Sequence, residues 1–404
     1  MEKKKLTGIC LFSGFGCQDT GIKNSEVFDF EVLATSEIDK EAILSYAAMQ
    51  NGMTMEMIQN YEEYPTVEEM IQELTEKHIG YDPKKKRPHN WDKYRNHEEI
   101  LKKYWLANHL SKNLGDISRV ESLPDADLWF TSFPCQDISI AGYQRGFKED
   151  SHTRSSLVWE QMRLLRKAVE DGTQPKFLMF ENVKELVGKK FRPDFLKWLD
   201  ELKELGYKIY WDVLNAKDCG VPQNRERVFV VCIREDIEAE GYTFPQPFPC
   251  ETKLEDIIEL KAKRNKYVNM ERVKAILEML EENDTYPISE KMTAPENETI
   301  TAPDDQGNVI NRKKNRAPKP TPGMCFRLMG LTIDDVKKCR AVGVSDTQLY
   351  RQAGNGIVTN CAQLLAEHLY KSVYDPTYIC TDEKMNGAEV KMALPLLNLE
   401  KKSA

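Results

Sequence analysis

The sequence predicts an α/β protein built on a doubly wound, mostly parallel sheet. Short apolar runs alternate with amphipathic stretches through the first 234 residues. The first run feeds a glycine-rich turn that opens a helix, and the second ends in an acid. In order, LTGICLF (6–12) reads as a strand and FEVLATSE (30–37) as the next, followed by the helical IDKEAILSYAAM (38–49). ADLWFTS (126–132) precedes the helix SLVWEQMRLLRKAVE (156–170), and KFLMFENV (176–183) precedes DFLKWLDELKEL (194–205). YKIYWDVLNA (207–216) and RVFVVCIR (227–234) are strands joined without a helix, which predicts an antiparallel edge.

At 404 residues the chain is long enough for one large and one small domain. Apolar content of 41% and charged content of 30% describe a globular chain, not a disordered one. The net charge of −8 advertises no nucleic-acid partner, but a bulk value averages local patches away. The opening MEKKKLTGIC lacks an export-signal core, and no window has the length of a membrane helix. The ten cysteines form no C-x-x-C pairs and stand apart from the histidines. They read as reduced thiols of a cytoplasmic protein, with no metal site.

Two segments break the rhythm. Residues 51–108 read as an insertion, most simply a solvated surface excursion. Its stretch 84–103 carries eight Lys/Arg against three Asp/Glu. Residues 235–325 open with GYTFPQPFP (241–249), contain a helical ERVKAILEMLEEN (271–283), and end in the basic RKKNRAPKPTP. They predict a separate small domain between a first domain (1–234) and a C-terminal return (326–404).

The chemistry begins at LFSGFGCQDTG (11–21). Glycines after a strand let a ligand approach the backbone, and the helix N-terminus favours negative charge. The pattern is neither G-x-G-x-x-G nor a phosphate loop. Glu37, at the tip of the second strand, stands where an acid can bind ribose hydroxyls. Together these features suggest an adenosine ligand without a pyrophosphate, which fits S-adenosylmethionine. TSFPCQDIS (131–139) sets Cys135 just past a buried strand, where a cysteine is either a small core residue or a nucleophile.

The ordered blocks FSGFG (12–16), SEID (36–39), GDIS (115–118), FPCQDISIAGYQRGF (133–147), ENV (181–183), GVPQNRERVFVV (220–231), RLMGL (327–331) and RQAGNGIV (351–358) resemble the cytosine-5 DNA methyltransferases. The resemblance implies a Rossmann-like methyltransferase sheet and a target-recognition domain over 235–325. It makes Cys135 the nucleophile that adds to carbon 6 of cytosine, because covalent addition gives carbon 5 carbanion character. Positive neighbours are expected to lower the thiol pKa. Glu181 would contact ring nitrogen 3 and the exocyclic amine as a proton donor, Arg227 the base carbonyl, and Arg225 a supporting position. For S-adenosylmethionine it implies Phe12, Gly14 and Gly16 near the methionine and sugar, and Glu37 on the ribose. Ile38 would pack the adenine and Asp116 would accept from its exocyclic amine, with Ile117 also at the cofactor. Pro134 and Leu157 would line the methionine end, and Asn355 would return from the far C-terminus.

The partner implied is double-stranded DNA with the target base flipped out. Residues 137–155 resemble a loop that closes over DNA, with Gln144 and Arg145 contacting it. Thr299 resembles a target-recognition residue near the flipped nucleotide. A monomer is expected, with a short specific site as in restriction-modification and a cognate restriction endonuclease acting independently. Cys17 stands where the family often has glycine, and Gly356 where it has serine, two departures expected to weaken cofactor affinity. Two rivals remain, a tRNA cytosine-5 methyltransferase of the same fold and an inactive DNA-binding relative. PCQ, rather than PPC, and the intact Cys135–Glu181–Arg227 set count against them.

Overall fold

The computed structural model describes residues 3–82, 87–139, 142–151, 153–239, 241–252, 257, 299–303, 309–313 and 320–380. Six strands form the main sheet: β1 (Lys4–Leu11), β2 (Phe28–Ser36), β3 (Leu128–Thr131), β4 (Phe177–Val183), β5 (Tyr207–Asn215) and β6 (Glu226–Arg234). Their order is β2-β1-β3-β4-β6-β5. β1 to β4 run parallel, and β6 runs antiparallel to both of its neighbours. The expected antiparallel edge is the β5–β6 hairpin, its reversed strand one place in from the edge.

β3 and β4 are buried along their whole length, as strands covered on both faces must be. Successive side chains point to opposite faces, so Phe130 and Met179 enter one core while Trp129 and Leu178 enter the other. The first face carries α1 (Cys17–Asn24), α2 (Lys40–Gln50), α3 (Met55–Asn60), α4 (Val67–Glu76) and α5 (Glu98–Leu110). The second carries α6 (Val158–Asp171) and α7 (Arg192–Glu204). The C-terminal return adds α8 (Pro322–Leu328), α9 (Ile333–Ala341), α10 (Asp346–Asn355) and α11 (Thr359–Tyr374) to the first face. There α11 lies against α1, and residues 326–374 rejoin the sheet that residues 4–234 begin.

The reading of 51–108 as a solvated excursion is overturned. α4 starts with a Thr66–Glu69 capping box and buries Met70 and Leu74. α5 packs on both α2 and α4, burying Leu101, Trp105 and Leu106. Trp91 is fully inside, its indole N–H donating to the Ile79 carbonyl at 2.8 Å. The misleading signal was polar composition: α4 has one narrow apolar stripe, and its partners lie elsewhere in the chain. Of the basic stretch, Arg95 pairs with Asp92 at 2.8 Å and Lys102 with Glu98 at 2.9 Å, both local contacts.

After α5, residues 111–115 run beside the end of β2. Thr35 and Asn113 form an isolated parallel bridge outside β2, which places Gly115 and Asp116 beside the end of that strand. β7 (Thr299–Pro303) and β8 (Val309–Lys313) make a separate antiparallel pair, with Thr299 opposite Lys313. The expected helix 271–283 and most of RKKNR lie outside the described residues. The GYTFPQPFP stretch packs against α11, where the Tyr242 hydroxyl donates to the Leu365 carbonyl at 3.1 Å and His368 Nδ1 bonds the Thr243 carbonyl at 2.7 Å.

Candidate active site

Register levels the strand ends. Leu11 pairs with Ser36 and with Thr131, and Thr131 pairs with Phe180. The next residues along, Phe12, Glu37, Ser132 and Glu181, therefore form one row across the carboxyl ends of the parallel strands, where doubly wound sheets bind ligands. The chain turns sharply after β1: Phe12, Gly14 and Gly16 have φ of 53°, 55° and 92°. This turn aims the Gly14 amide at Glu37, donating to Oε2 at 3.0 Å.

Glu37 Oε1 accepts from the amides of Ile38 and Asp39, each at 2.8 Å. Against these bonds, burial, with the Asp39 charge adding, pushes its carboxyl up to about 7. Asn113, missed in the sequence, holds the strand tip. Its amide oxygen accepts from the Glu37 amide at 2.9 Å, and its amide nitrogen donates to the Glu37 carbonyl at 3.0 Å. Asp39 caps α2 and pairs with Arg351, while Gln352 donates to the Glu41 carbonyl at 3.0 Å. The RQAGNGIV block thus anchors the C-terminal return to the SEID segment; the motif was legible, this job for its first two residues was not.

Asp116 Oδ1 accepts from the Ser118 amide and hydroxyl, and Oδ2 meets His78 Nδ1 at 2.8 Å. Ile117 is buried beside it. The side chains fit an adenosine ligand: two carboxyl groups, Glu37 at the end of β2 and Asp116 in the segment beside it, next to a glycine turn where a Cβ on Gly14 would meet nothing within 4 Å. Pro134 and Leu157 flank the turn after β3; the Pro134 carbonyl accepts from Ser155 Oγ at 2.6 Å, and Leu157 caps α6. Asn355 is the exposed last residue of α10.

Cys135 follows Pro134, its carbonyl accepting from the Ile138 and Ser139 amides at 2.9 Å. Antiparallel pairing sets Arg227 opposite Val183, two residues from Glu181 on the same face. Arg227 Nε reaches Glu181 Oε1 at 3.2 Å in a nearly buried ion pair. Arg225 is held by the carbonyls of Gly354 and Gly356, at 3.2 and 2.7 Å. Burial pushes the Cys135 thiol up; Arg227 and Arg225 act against this and Glu181 with it. The expected lowering by positive neighbours is thus outweighed by desolvation. Burial also raises the Glu181 carboxyl against the two arginines, and lowers Arg225 to about 10. Gln136 Oε1 is buried without a hydrogen-bond partner among the described residues. Asn182, quoted in the sequence only as part of ENV, donates to the Phe133 carbonyl at 3.0 Å and ties the Glu181 strand to the Cys135 turn.

The loop after Cys135 is folded on itself. Asp137, fully buried, accepts from Arg145 Nε at 2.7 Å and the Arg154 amide at 2.8 Å. Arg145 also lies over the exposed Tyr143 ring, and Lys190 bonds the Gln144 carbonyl at 2.7 Å. Thr299 opens β7. The departures at Cys17 and Gly356 are one feature, not two. A Cβ on Gly356 would lie 2.8 Å from the Phe15 ring and 3.2 Å from Cys17 Sγ, so the cysteine and the ring fill the space a larger residue would need. Among the described residues there is no cluster of three or more potential metal ligands and no helix long and apolar enough to cross a membrane.

A cysteine and a buried carboxylate–arginine pair thus lie together at the carboxyl edge of a doubly wound sheet. The model for C-5 cytosine-specific DNA methylases matches residues 89–371, and the chain belongs to that family. It is 36% identical over 368 residues to the type II methyltransferase M2.ScrFI of Lactococcus lactis subsp. cremoris, covering 89% of this chain and 98% of that protein. It is 29% identical over 305 residues to M.HhaI of Haemophilus parahaemolyticus, covering 70% and 86%. The fold is shared with the Entamoeba histolytica methyltransferase EhMeth, at TM-score 0.52 and 15% identity, covering 91% and 99%. The chain is therefore an enzyme that methylates cytosine at carbon 5 in DNA.

Proposed function

We propose that the methyl donor is S-adenosylmethionine, the substrate a cytosine flipped out of double-stranded DNA, and the nucleophile Cys135. The observation that carries this reading is the Cys135–Glu181–Arg227 set on the carboxyl edge, beside a glycine turn and two carboxylates suited to adenosine. The donor would be held by Glu37 on the ribose, by Ile38, Asp116 and Ile117 on the adenine, and by Phe12, Gly14, Gly16, Pro134, Leu157 and Asn355 along the methionine. When bound, it supplies an electrophilic methyl group on a sulfonium.

This chain's residues do the rest. Cys135 Sγ adds to carbon 6, and the displaced π pair makes carbon 5 nucleophilic. Glu181, whose carboxyl burial pushes up, would carry a proton toward ring nitrogen 3, where negative charge develops. Arg227 would orient Glu181 and meet the base carbonyl, while Arg225, held by the Gly354 and Gly356 carbonyls, adds positive charge near both. Once carbon 5 carries the methyl group, a water takes its proton, and the C–H electron pair restores the double bond as it expels Cys135 as the thiolate.

We place target recognition in residues 235–325, excepting the 241–249 stretch that packs on α11. Gln144, Arg145 and Thr299 would face DNA. The type II names of the relatives support a short specific site and a cognate endonuclease acting separately. Action as a monomer is our further expectation. The test is methylation of unmodified genomic DNA with S-adenosylmethionine, followed by base-resolution mapping of 5-methylcytosine. Modification at one short recurring sequence is expected. No DNA methylation despite donor binding would overturn the reading.

A further inference from the structure

The 51–108 segment does more than pack. The turn after α4 runs between the two residues assigned to the adenine. The Gly80 amide donates to the Ile38 carbonyl at 2.6 Å, and the Asp116 amide to the Lys77 carbonyl at 3.0 Å. The seam is tight: Gly115 has a φ of +80°, and a Cβ there would lie 2.1 Å from the Lys77 carbonyl oxygen. At its centre His78 adopts a φ of 55°, a left-handed conformation that a non-glycine residue takes only when its surroundings hold it.

The imidazole is held on three sides. It stacks on Tyr81 with ring centroids 5.2 Å apart and planes 10° from parallel. Arg119 Nη1 lies 2.8 Å from Nε2, and Asp116 Oδ2 lies 2.8 Å from Nδ1. A guanidinium only donates, so Nε2 accepts and Nδ1 carries the proton that goes to Asp116. Ser118 fixes the other carboxylate oxygen, at 2.7 Å from its hydroxyl. Arg119, His78 and Ser118 together allow the Asp116 carboxylate one orientation.

We propose that His78 is a positioning residue: it locks Asp116 for the exocyclic amine of the adenine, so the 51–108 segment sets the nucleobase selectivity of the cofactor site. The inference rests on the assignment of Asp116 to that amine. A carboxylate only accepts, so it favours an amino group at the purine 6-position over a carbonyl oxygen. Held rigidly, it discriminates; released, it rotates away or is solvated, and selectivity drops.

The test is calorimetric binding of S-adenosylhomocysteine and its inosine analogue, with a carbonyl at the 6-position, to the full chain. His78→Gly removes the ring while suiting the left-handed backbone, and unchanged thermal melting verifies the fold. His78→Asn keeps a donor and tolerates the same backbone. Wild type is expected to prefer the adenine form. His78→Gly is expected to bind that form roughly tenfold more weakly, the size of a lost charge-assisted hydrogen bond, with the inosine form little changed. His78→Asn restores most of the preference, and Asp116→Ala shows no further loss when His78→Gly is added. Wild-type selectivity in His78→Gly, or an equal loss for both ligands, overturns the proposal. If Asp116→Ala keeps full selectivity, the Asp116 assignment fails and the inference falls with it, a result distinct from loss of Asp116 function alone.

Discussion

The two ends of the site were built in different ways. At the chemical end, Cys135, Glu181 and Arg227 sit on strand ends and turns specified by short, contiguous motifs. At the adenine end, Glu37, Asp116 and Asp39 are set by Asn113, His78 and Arg351 in turn, residues brought in from 76, 38 and 312 positions away. The first end holds its groups by strand register. The second holds them by polar contacts with an inserted segment and with the C-terminal return. Chemistry that depends on register is written locally; ligand selectivity that depends on packing is spread along the chain.

Four substitutions or titrations would break or sharpen that contrast. At the chemical end, Glu181→Gln keeps the shape but cannot supply the proton. It should lower the methyl-transfer rate by about 10² to 10³-fold in single-turnover assays while leaving donor affinity unchanged. A loss of donor affinity equal to the loss of rate would mean that the two ends are not separable.

In the inserted segment, Leu74→Ala removes a fully buried side chain of α4 and should destabilise the protein by about 2–4 kcal/mol in denaturant unfolding. A solvated excursion would show almost no change. Gly356→Ser should weaken S-adenosylhomocysteine binding by about 1–2 kcal/mol, because the new atoms meet Phe15 and Cys17. Adding Cys17→Gly should recover much of it, and strictly additive effects in the double-mutant cycle would contradict the shared-space explanation.

The smallest effect is at Glu37. Its carboxyl, raised to about 7, is protonated below that pH and then offers fewer acceptors to the ribose hydroxyls. Affinity for S-adenosylhomocysteine should be full above about pH 8 and fall as pH drops through 7, by up to about tenfold per unit well below it. Glu37→Gln should bind more weakly and without that slope. An identical slope in the variant would assign the titration to another group.

Much of the sheet and the motifs that meet at its carboxyl edge were legible in the sequence. Buried parallel strands read as apolar runs, and FSGFG, FPCQ, ENV and Q-N-R-E-R each lie within a single turn or strand. The insertion was not legible. Met70, Leu74 and Trp91 are spaced among charged residues, so composition hid a helix that packs on α5. His78 gave no signal, because a lone histidine in a polar stretch has no pattern until Asp116 and Arg119 arrive beside it. The Cys17–Gly356 relation was invisible for the same reason: each departure was noticed alone, and only proximity joins them. The pKa of Cys135 was misjudged because its arginines are evident in the motif while its burial is not.

One experiment decides whether Cys135 works as described: incubation with S-adenosylmethionine and duplex DNA carrying 5-fluorocytosine at the mapped target. Fluorine at carbon 5 cannot leave as the proton does, so the enzyme should be caught before Cys135 is expelled. The expected result is a denaturant-stable adduct whose mass equals protein, DNA and one methyl group, absent in Cys135→Ser. No adduct at a site the enzyme methylates, or an adduct that persists in Cys135→Ser, would contradict covalent catalysis by this residue.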